Sequence, residues 1–198
     1  FLKTLKKREI VCGYAEILKH SIIASNKFYK YLDKNFDKIL NLKSPYIEKS
    51  IFESCVIKKT IVEKDEKETG LRKTLNFGHT FAHAYEATLK YSKKLNHGEA
   101  VILGMKSALN FSYKKKLINI KNYNDILAHM NNANLKYNLS DYFKVKDILK
   151  IISYMSNDKK NNSNKINLIL LKKIGSPIIE KSFNKKYFTY FLKRELSY

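Results

Sequence analysis

Two histidines stand one helical turn apart in the segment TLNFGHTFAH, residues 74–83. His83 follows His79 by four positions and Glu86 follows three positions later, so one side of a helix carries all three side chains. Imidazole and carboxylate groups are common ligands of divalent metal ions. The segment lacks the glutamate of the zinc-protease motif HExxH, which excludes that kind of site.

Two other segments carry the same kinds of group. Glu16 shares a predicted helix face with Lys19 and His20, and His97 and Glu99 flank a glycine at the start of another helix. If these helices converge, carboxylate and imidazole groups supply the three protein ligands of a catalytic metal and leave positions open for substrate or water. Each group taken singly also has a structural interpretation, because a lone helical histidine is more often a core or surface residue. Glu16 with Lys19 is equally consistent with an ordinary helical ion pair.

The glycines and histidines are concentrated in the first half of the chain. Five of the six glycines and four of the five histidines fall between residues 13 and 104. In a chain so poor in glycine, these positions are expected where the backbone has a positive φ or approaches a ligand closely. The first half is therefore the predicted functional half. The residues concerned are Gly13, Gly70, Gly78, Gly98, Gly104, His20, His79, His83 and His97.

Several basic and amide side chains are candidates for binding an anionic substrate. They are Lys58, Arg72, Asn76 and the lysines of the NDKKNN segment, Lys159 and Lys160. Such groups donate charge-assisted hydrogen bonds to carboxylates and phosphates. Each lysine considered alone is better explained as part of a solvated surface, whereas Arg72 is a stronger signal because the chain contains only three arginines.

The formal net charge of +21 suggests a nucleic-acid-binding protein, because a cationic surface gains affinity by releasing counterions from phosphates. Arginine, whose bidentate fork suits bases and phosphates, is scarce here, and the lysines are scattered along the whole chain. We therefore interpret the charge as a solvated lysine-rich surface and expect no nucleic-acid partner. A lysine-rich helical nucleic-acid-binding module is the alternative from a different functional class.

The sequence also predicts the compartment. No stretch approaches the roughly 18–20 uninterrupted apolar residues of a membrane span, and FLKTLKKREI lacks the features of a signal peptide. We expect a cytoplasmic protein with no membrane partner. The first methionine is Met105, so we expect further residues upstream of Phe1. Cys12 and Cys55 are predicted to be buried reduced thiols rather than a disulfide.

Apolar residues recur at helical spacing through most of the chain, and glycine and proline are too few for a turn-rich β fold. The first predicted helix covers residues 9–32. Ser44 is the predicted N-cap of the second helix, with Pro45 at its first position. The predicted apolar side of that helix comprises Ile47, Ile51, Cys55 and Val62.

The rest of the chain follows the same pattern until a late β element. The charged segment 63–73 is a predicted loop, and Asn184 is a predicted cap of the last helix. The other predicted helices are 74–90, 98–116, 126–130 and 148–155, and the predicted strands, joined by a turn, are 166–171 and 177–181. The predicted fold is mainly α, with a small β-hairpin late in the chain.

Four separated segments together resemble the C-terminal domain of the 3-dehydroquinate synthase family. They are GYAEILKH (13–20), DEKETGLRKTLNFGHTFAHAYEA (65–87), LNHGEAVILGM (95–105) and NDKK (157–160). Their order and spacing agree across most of the chain, and the 65–87 segment is the most specific. The resemblance implies one helical metal- and substrate-binding domain over residues 1–198, with an NAD-binding α/β domain upstream of it.

The resemblance assigns roles to individual residues. Glu16, His79 and His97 match the ligands of a catalytic zinc ion, which cobalt can replace. The residues that match catalytic and substrate-binding groups are Lys19, Lys58, Glu68, Arg72, Asn76 and His83. One or both of Lys159 and Lys160 match a substrate-binding lysine from a late loop.

The resemblance also implies a reaction, the conversion of 3-deoxy-D-arabino-heptulosonate 7-phosphate into 3-dehydroquinate and phosphate in the shikimate pathway. Bound NAD and a divalent metal are required. No glycine-rich dinucleotide loop occurs in this chain, so NAD is expected to bind mainly to the upstream domain and the chain alone is expected to be inactive. The implied whole protein is a homodimer. The alternatives within the same fold are another sugar-phosphate cyclase, such as 2-deoxy-scyllo-inosose synthase, or a glycerol dehydrogenase-like enzyme.

Overall fold

Eight α-helices and one antiparallel hairpin make up residues 2–156 and 166–197, which are the part of the chain that the computed structural model describes. The helices are α1 (Lys7–Ala24), α2 (Asn26–Leu40), α3 (Tyr46–Lys64), α4 (His79–Thr88), α5 (His97–Lys114), α6 (Ile120–Asn132), α7 (Ile148–Ser156) and α8 (Lys185–Leu196). The strands are β1 (Ile166–Lys173) and β2 (Ser176–Phe183). The predicted mainly α fold with a late hairpin is confirmed.

Helix α5 lies at the centre of the fold. All residues from Gly98 to Met105 are buried, and α1, α4, α6 and β1 pack around the helix. A helix that is apolar nearly all round its circumference must be covered on every side. Helices α1 and α4 are therefore held in place by their packing against α5.

The first predicted helix, 9–32, is in fact two helices. Ser25 separates α1 from α2 with an extended backbone, φ −150° and ψ 105°. Its hydroxyl oxygen accepts a hydrogen bond from the Phe28 backbone N–H at 3.1 Å, which is the N-cap interaction of α2. The apolar spacing continues across this break, so periodicity alone predicted a single helix.

The predicted start and buried side of the second helix, now α3, are wrong in part. The N-cap position is Pro45 rather than Ser44, and Ile51 and Cys55 are exposed. The buried residues of α3 are Ile47, Ser50, Ser54 and Ile61. Two serines lie on the buried side because their hydroxyl groups are satisfied, that of Ser50 by the Tyr46 carbonyl and that of Ser54 by His20. Both cysteines are free, as predicted, but only Cys12 is partly buried.

The third predicted helix, 74–90, begins later than expected. Residues Leu71–Asn76 form a 3₁₀-helix, and Gly78 then adopts a left-handed conformation with φ 81° before α4 starts at His79. Positive φ is tolerated by glycine and strained for other residues, so the chain can turn sharply at this point. The turn places His79 in the first position of α4.

The β-hairpin packs on α5 and closes the fold near α1. Leu168, Leu170 and Leu171 of β1 are buried, and the Leu171 backbone N–H donates to the Ser112 hydroxyl oxygen of α5 at 3.0 Å. Gly175 makes the turn with φ 80°. The predicted cap of α8 is also found, because the Asn184 side chain accepts from the Lys186 backbone N–H. Across residues 2–156 and 166–197, the helices are too short or too polar to cross a membrane.

Candidate metal site

Glu16, His79 and His97 converge from three different helices. Each offers one potential ligand atom, and the three atoms lie within 4.8 Å of one another. The Glu16 Oε1 atom is 3.9 Å from His79 Nε2, and the His79 and His97 ring centroids are 5.7 Å apart. Ligand atoms held by one divalent ion at about 2.0–2.2 Å lie no more than about 4.4 Å apart, so small side-chain shifts bring these three atoms within range of a single ion.

The Glu16 carboxylate presents one oxygen to this cluster without a partner. Its Oε2 accepts a 2.7 Å hydrogen bond from the Lys19 ammonium, while its Oε1 is buried and has no hydrogen-bond partner among the described residues. Burial opposes ionisation, but the Lys19 charge and hydrogen bond outweigh it, so the pKa of Glu16 lies below its ordinary value. A buried carboxylate oxygen without a donor is costly, and a cation removes that cost.

His79 is held in place by packing. Its side chain is 13% exposed, and its Nδ1 lies 3.4 Å from the Phe77 carbonyl oxygen. Burial and the nearby Lys19 charge lower the pKa of His79 to about 3. The imidazole is therefore neutral at physiological pH, the protonation state that metal binding requires, with Nε2 free to coordinate.

His97 is positioned differently. Its side chain is 56% exposed, and its Nδ1 lies 3.1 Å and 3.3 Å from the two carboxylate oxygens of Glu86 on α4. The Glu86 hydrogen bond raises the pKa of His97 above its ordinary value, although burial opposes the rise. With Nδ1 directed at Glu86, Nε2 is the ring nitrogen left for a ligand.

Glycines set the close spacing of the three helices. A Cβ atom on Gly78 would lie 2.6 Å from the Met105 backbone nitrogen, and one on Gly104 would overlap the Gly78 carbonyl oxygen. A Cβ atom on Gly98 would lie 2.6 Å from the Cys12 Cα. These three glycines exclude a Cβ, as predicted, but the backbone approaches a neighbouring helix rather than a ligand, and the prediction is wrong for Gly13 and Gly70, which have room for a Cβ and no positive φ. The contacts bring the start of α4 against the middle of α5, and the start of α5 against α1.

Glu99 does not take part in the cluster. It accepts hydrogen bonds from the Arg8 guanidinium, with Nε to Oε1 at 2.6 Å, and from the Asn96 backbone N–H at 3.0 Å. Asn96 in turn accepts from the Glu99 N–H, which forms the capping box that starts α5 at His97. Glu99 is therefore a structural residue that fixes the first turn of α5.

Other predicted site residues surround the cluster. Lys19 is buried on the Glu16 carboxylate, and burial lowers the pKa of its ammonium below the ordinary value. The exposed His83 ring has its centroid 5.4 Å from that of His79 and 6.3 Å from that of His97. Lys58 is exposed on α3, and its charge contributes to the lowered pKa values of Lys19 and His20. These groups give one side of the site a cationic character.

The remaining candidates form a separate hydrogen-bonded group in the 65–76 segment. The Asn76 amide donates to Glu68 Oε1 at 2.9 Å, and the Arg72 guanidinium donates to the Glu66 carbonyl at 2.6 Å. The Asp65 carboxylate accepts backbone N–H bonds from residues 69, 70 and 72, with the bond from Arg72 contributing most, and they lower its pKa to about 2. These contacts bind the segment together without linking it to the three potential ligands.

The structure leaves two predicted substrate-binding lysines untested and shows one contact that the sequence did not predict. Lys159 and Lys160 lie outside the described residues. The sequence placed Glu86 on the same helix face as His79 and His83 but did not predict its contact with His97, because that contact depends on how α4 packs against α5. The spacing of Glu86 from His79 was the available signal.

A family model and similar curated relatives all indicate the same family. A family model described as 3-dehydroquinate synthase C-terminal matches residues 13–161. The 3-dehydroquinate synthase of Pelagibacter ubique (strain HTCC1062) is 57% identical over 197 residues, covering 100% of this chain and 54% of the relative. That of Bartonella quintana (strain Toulouse) is 37% identical over 199 residues, covering 100% and 52%. This chain thus spans about half the length of the curated relatives it matches.

Two solved structures share the fold. A 2-epi-5-epi-valiolone synthase from Streptomyces hygroscopicus subsp. jinggangensis 5008, with NAD+ and Zn2+ bound, has a TM-score of 0.83 and 18% identity, covering 98% of this chain and 53% of that chain. A 2-deoxy-scyllo-inosose synthase complexed with carbaglucose-6-phosphate, NAD+ and Co2+ has a TM-score of 0.81 and 18% identity, covering 96% and 53%. At this identity the likeness establishes the fold.

Proposed function

Because this chain belongs to the 3-dehydroquinate synthase family, we propose that it forms the metal- and substrate-binding half of an enzyme that converts 3-deoxy-D-arabino-heptulosonate 7-phosphate into 3-dehydroquinate and phosphate. The observation that carries the proposal is the convergence of Glu16, His79 and His97 from three helices inside the segment that matches the family. The identity of 57% over the whole chain to a curated 3-dehydroquinate synthase supports the same activity.

The donor set fits a divalent cation of the zinc or cobalt kind. Glu16 Oε1 is a buried acceptor without a partner among the described residues, and both imidazoles have Nδ1 directed at a protein acceptor. Glu16, His79 and His97 would hold the ion, as three-ligand catalytic zinc sites do. The bound ion supplies a Lewis acid that lowers the pKa of substrate hydroxyl groups. The Zn2+ and Co2+ ions named for the two solved neighbours support this choice of metal.

The protein's own groups bind and orient the substrate. Lys19 fixes the Glu16 carboxylate so that its second oxygen faces the imidazoles, and His83 stands exposed beside them, within reach of a substrate oxygen. Lys58 and Arg72 supply positive charge for a substrate that carries both a carboxylate and a phosphate group. The Asn76–Glu68 pair orders the segment that leads into α4.

We place NAD binding mainly in a part of the protein outside this chain. The chain spans about half the length of its curated relatives, and both solved neighbours are described with NAD+ bound. The oxidation and reduction steps belong to the cofactor, so the contribution of this half is binding, orientation and electrostatics. An isolated protein of residues 1–198 should then release no phosphate from the substrate.

Phosphate release by the full-length protein tests the proposal. We expect release from the heptulosonate phosphate only when NAD and Zn2+ or Co2+ are both present. Glu16→Ala and His79→Ala should each lower kcat/KM by at least about a hundredfold, since each removes a ligand of the ion that stabilises developing charge. Full activity in either variant would contradict the ligand assignment.

Substrate choice separates this function from that of other cyclases of the fold. The full-length protein should turn over the heptulosonate phosphate and leave glucose 6-phosphate unchanged, because its curated relatives of 57% and 37% identity are 3-dehydroquinate synthases. Lys58→Ala should mainly raise KM, since a lost substrate charge contact weakens binding in the ground state and the transition state alike. Turnover of glucose 6-phosphate with no turnover of the heptulosonate would reverse the assignment.

A further inference from the structure

We propose that Glu86 is the positioning residue of the metal site: its carboxylate accepts the hydrogen bond from His97 Nδ1–H and so fixes the ring with Nε2 directed towards Glu16 and His79. This inference rests on the proposed function, because it takes the three converging groups to be metal ligands. It adds a fourth side chain to the site, one that acts on a ligand instead of on the ion.

The two imidazoles differ in what holds them. His79 is 13% exposed and its ring is fixed by surrounding side chains, whereas the His97 side chain is 56% exposed. A half-exposed imidazole can rotate about both side-chain torsions, and metal binding must then offset the lost conformational freedom. His97 therefore needs a specific partner that His79 does not.

Glu86 has the geometry of such a partner. Its two carboxylate oxygens lie 3.1 Å and 3.3 Å from the same His97 nitrogen, and its own side chain is only 11% exposed. It stands seven residues after His79 on α4, so the helix that carries one imidazole also carries the residue that orients the other. The packing of α4 on α5 is what brings Glu86 and His97 together.

A carboxylate partner also changes the ligand chemically. With Nδ1–H donating to a carboxylate, the imidazole takes the tautomer whose Nε2 lone pair is free, and the negative charge makes that nitrogen a stronger donor to a cation. His79 has the weaker kind of partner, a backbone carbonyl at 3.4 Å. We therefore expect His97 to depend on its partner more than His79 does.

Metal affinity, measured without reference to turnover, tests the role of Glu86. The full-length protein and its Glu86→Ala and Glu86→Gln variants are titrated with Zn2+ against a chromophoric chelator, and with Co2+ while the visible absorption is recorded. Glu86→Ala should raise the Zn2+ Kd about 10–100-fold, the usual effect of removing an outer partner of a ligand. Glu86→Gln keeps an acceptor oxygen but loses the charge, so its Kd should rise about 3–10-fold. The cobalt absorption bands should shift in Glu86→Ala.

A matched control is available within the same chain. Asp33→Asn alters another carboxylate that pairs with a histidine, since Asp33 Oδ1 lies 2.9 Å from His129 Nδ1. It should leave the Zn2+ Kd unchanged. In a His97→Ala background, Glu86→Ala should cause no further loss of affinity, because its effect passes through His97.

The outcomes distinguish a failure of the positioning role of Glu86 from a failure of the proposed function. If wild-type protein binds one Zn2+ that Glu16→Ala abolishes, but Glu86→Ala and Glu86→Gln both match the wild-type Kd, the positioning role is overturned and the proposed function stands. An equal loss of affinity in the His97→Ala background also overturns it, because a general effect on folding would then be the cause. If Glu86→Ala does not fold, the Kd of Glu86→Gln decides. Wild-type protein that binds no Zn2+ would instead contradict the proposed function itself.

Discussion

Two clusters in this chain pair a histidine with a carboxylate, and they differ in what is left unpaired. His129 is fully buried, with Nδ1 2.9 Å from Asp33 Oδ1 and Nε2 2.8 Å from the Tyr14 hydroxyl. Both ring nitrogens are satisfied by the protein. In the candidate metal site, by contrast, His97 and His79 each engage one nitrogen, and Glu16 Oε1 has no partner among the described residues.

Unpaired polar atoms distinguish the candidate ligand site from the structural cluster. Buried polar groups are normally satisfied within the protein, and the His129 cluster obeys this rule completely. The Glu16, His79 and His97 cluster breaks the rule at Glu16 Oε1, a buried oxygen that lies close to both imidazoles. Residue types alone do not distinguish the two clusters, because both contain carboxylate and imidazole groups.

Removing one histidine from each cluster should give opposite results. His79→Ala should weaken Zn2+ binding by at least about a hundredfold, which exceeds the effect of an outer partner, and should destabilise the metal-free protein less than His129→Ala does, because no described residue forms a hydrogen bond with His79 Nε2 that the substitution would remove. His129→Ala should leave the Zn2+ Kd unchanged and destabilise the metal-free protein by about 2–4 kcal/mol, because it leaves a cavity and unpaired groups. Chelator competition and urea unfolding measure the two quantities, and loss of metal affinity in both variants would erase the distinction.

The metal cluster should also depend on close backbone packing, whereas the His129 cluster should not. Gly98→Ala should destabilise the protein by about 1–3 kcal/mol and weaken Zn2+ binding, because the new Cβ meets the Cys12 backbone and side chain and forces α5 away from α1. Gly13→Ala on α1 is the matched control. No atom lies within 4 Å of a Cβ at Gly13, so helix propensity should stabilise that variant by up to about 1 kcal/mol. Equal stability changes would contradict the role given to Gly98.

Tyr14→Phe would convert the satisfied cluster into an unsatisfied one. It removes the hydroxyl partner of His129 Nε2 and should cost about 1–3 kcal/mol of stability, measured by urea unfolding. It should create no metal site, because only Asp33 and His129 would be available as ligands and catalytic sites need three. A second Zn2+ equivalent bound by this variant would show that unpaired atoms alone are sufficient.

Acid should weaken the metal-free fold through its buried neutral histidines. Burial lowers the pKa of His20 to about 4 and lowers that of His129 as well. The unfolded chain takes up protons near pH 6.5 while these folded-state groups remain neutral, so stability is full above that pH and is lost as the pH falls towards 4. We expect a loss of about 1–3 kcal/mol between pH 7 and 4.5 by urea unfolding. In a His129→Gln variant the loss should be smaller. A free energy of unfolding that rises on acidification would contradict this prediction.

The sequence predicted the fold class and the candidate ligands better than the boundaries of elements. Apolar residues at helical spacing identified α5 and α8, and the apolar run INLILL followed by a turn identified the late hairpin. Helical periodicity missed the break at Ser25, where a side-chain cap interrupts an apolar pattern that continues on both sides. It also misassigned the buried side of α3, because Ser50 and Ser54 are buried with satisfied hydroxyl groups.

The candidate site shows the same division between local and tertiary information. The shared helix face of His79, His83 and Glu86 followed from spacing, and the grouping with Glu16 and His97 followed from the family resemblance. The pairing of Glu86 with His97 and the hydrogen bond that Glu99 accepts from Arg8 could not be predicted, because each depends on which segments meet in the fold. The scarcity of glycine correctly predicted that Gly98 has no room for a Cβ, although the backbone there approaches α1 and not a ligand.

The contact between Gly98 and Cys12 has a mechanical consequence. Gly98 of α5 packs directly on the Cys12 backbone and side chain of α1, and Gly78 at the start of α4 packs in the same way on Gly104 and Met105 of α5, so the three helices cannot slide or rotate against one another without a clash. Helices α1, α4 and α5 should therefore move as a single rigid block, so that any closure over a substrate displaces Glu16, His79 and His97 together and leaves their mutual distances unchanged.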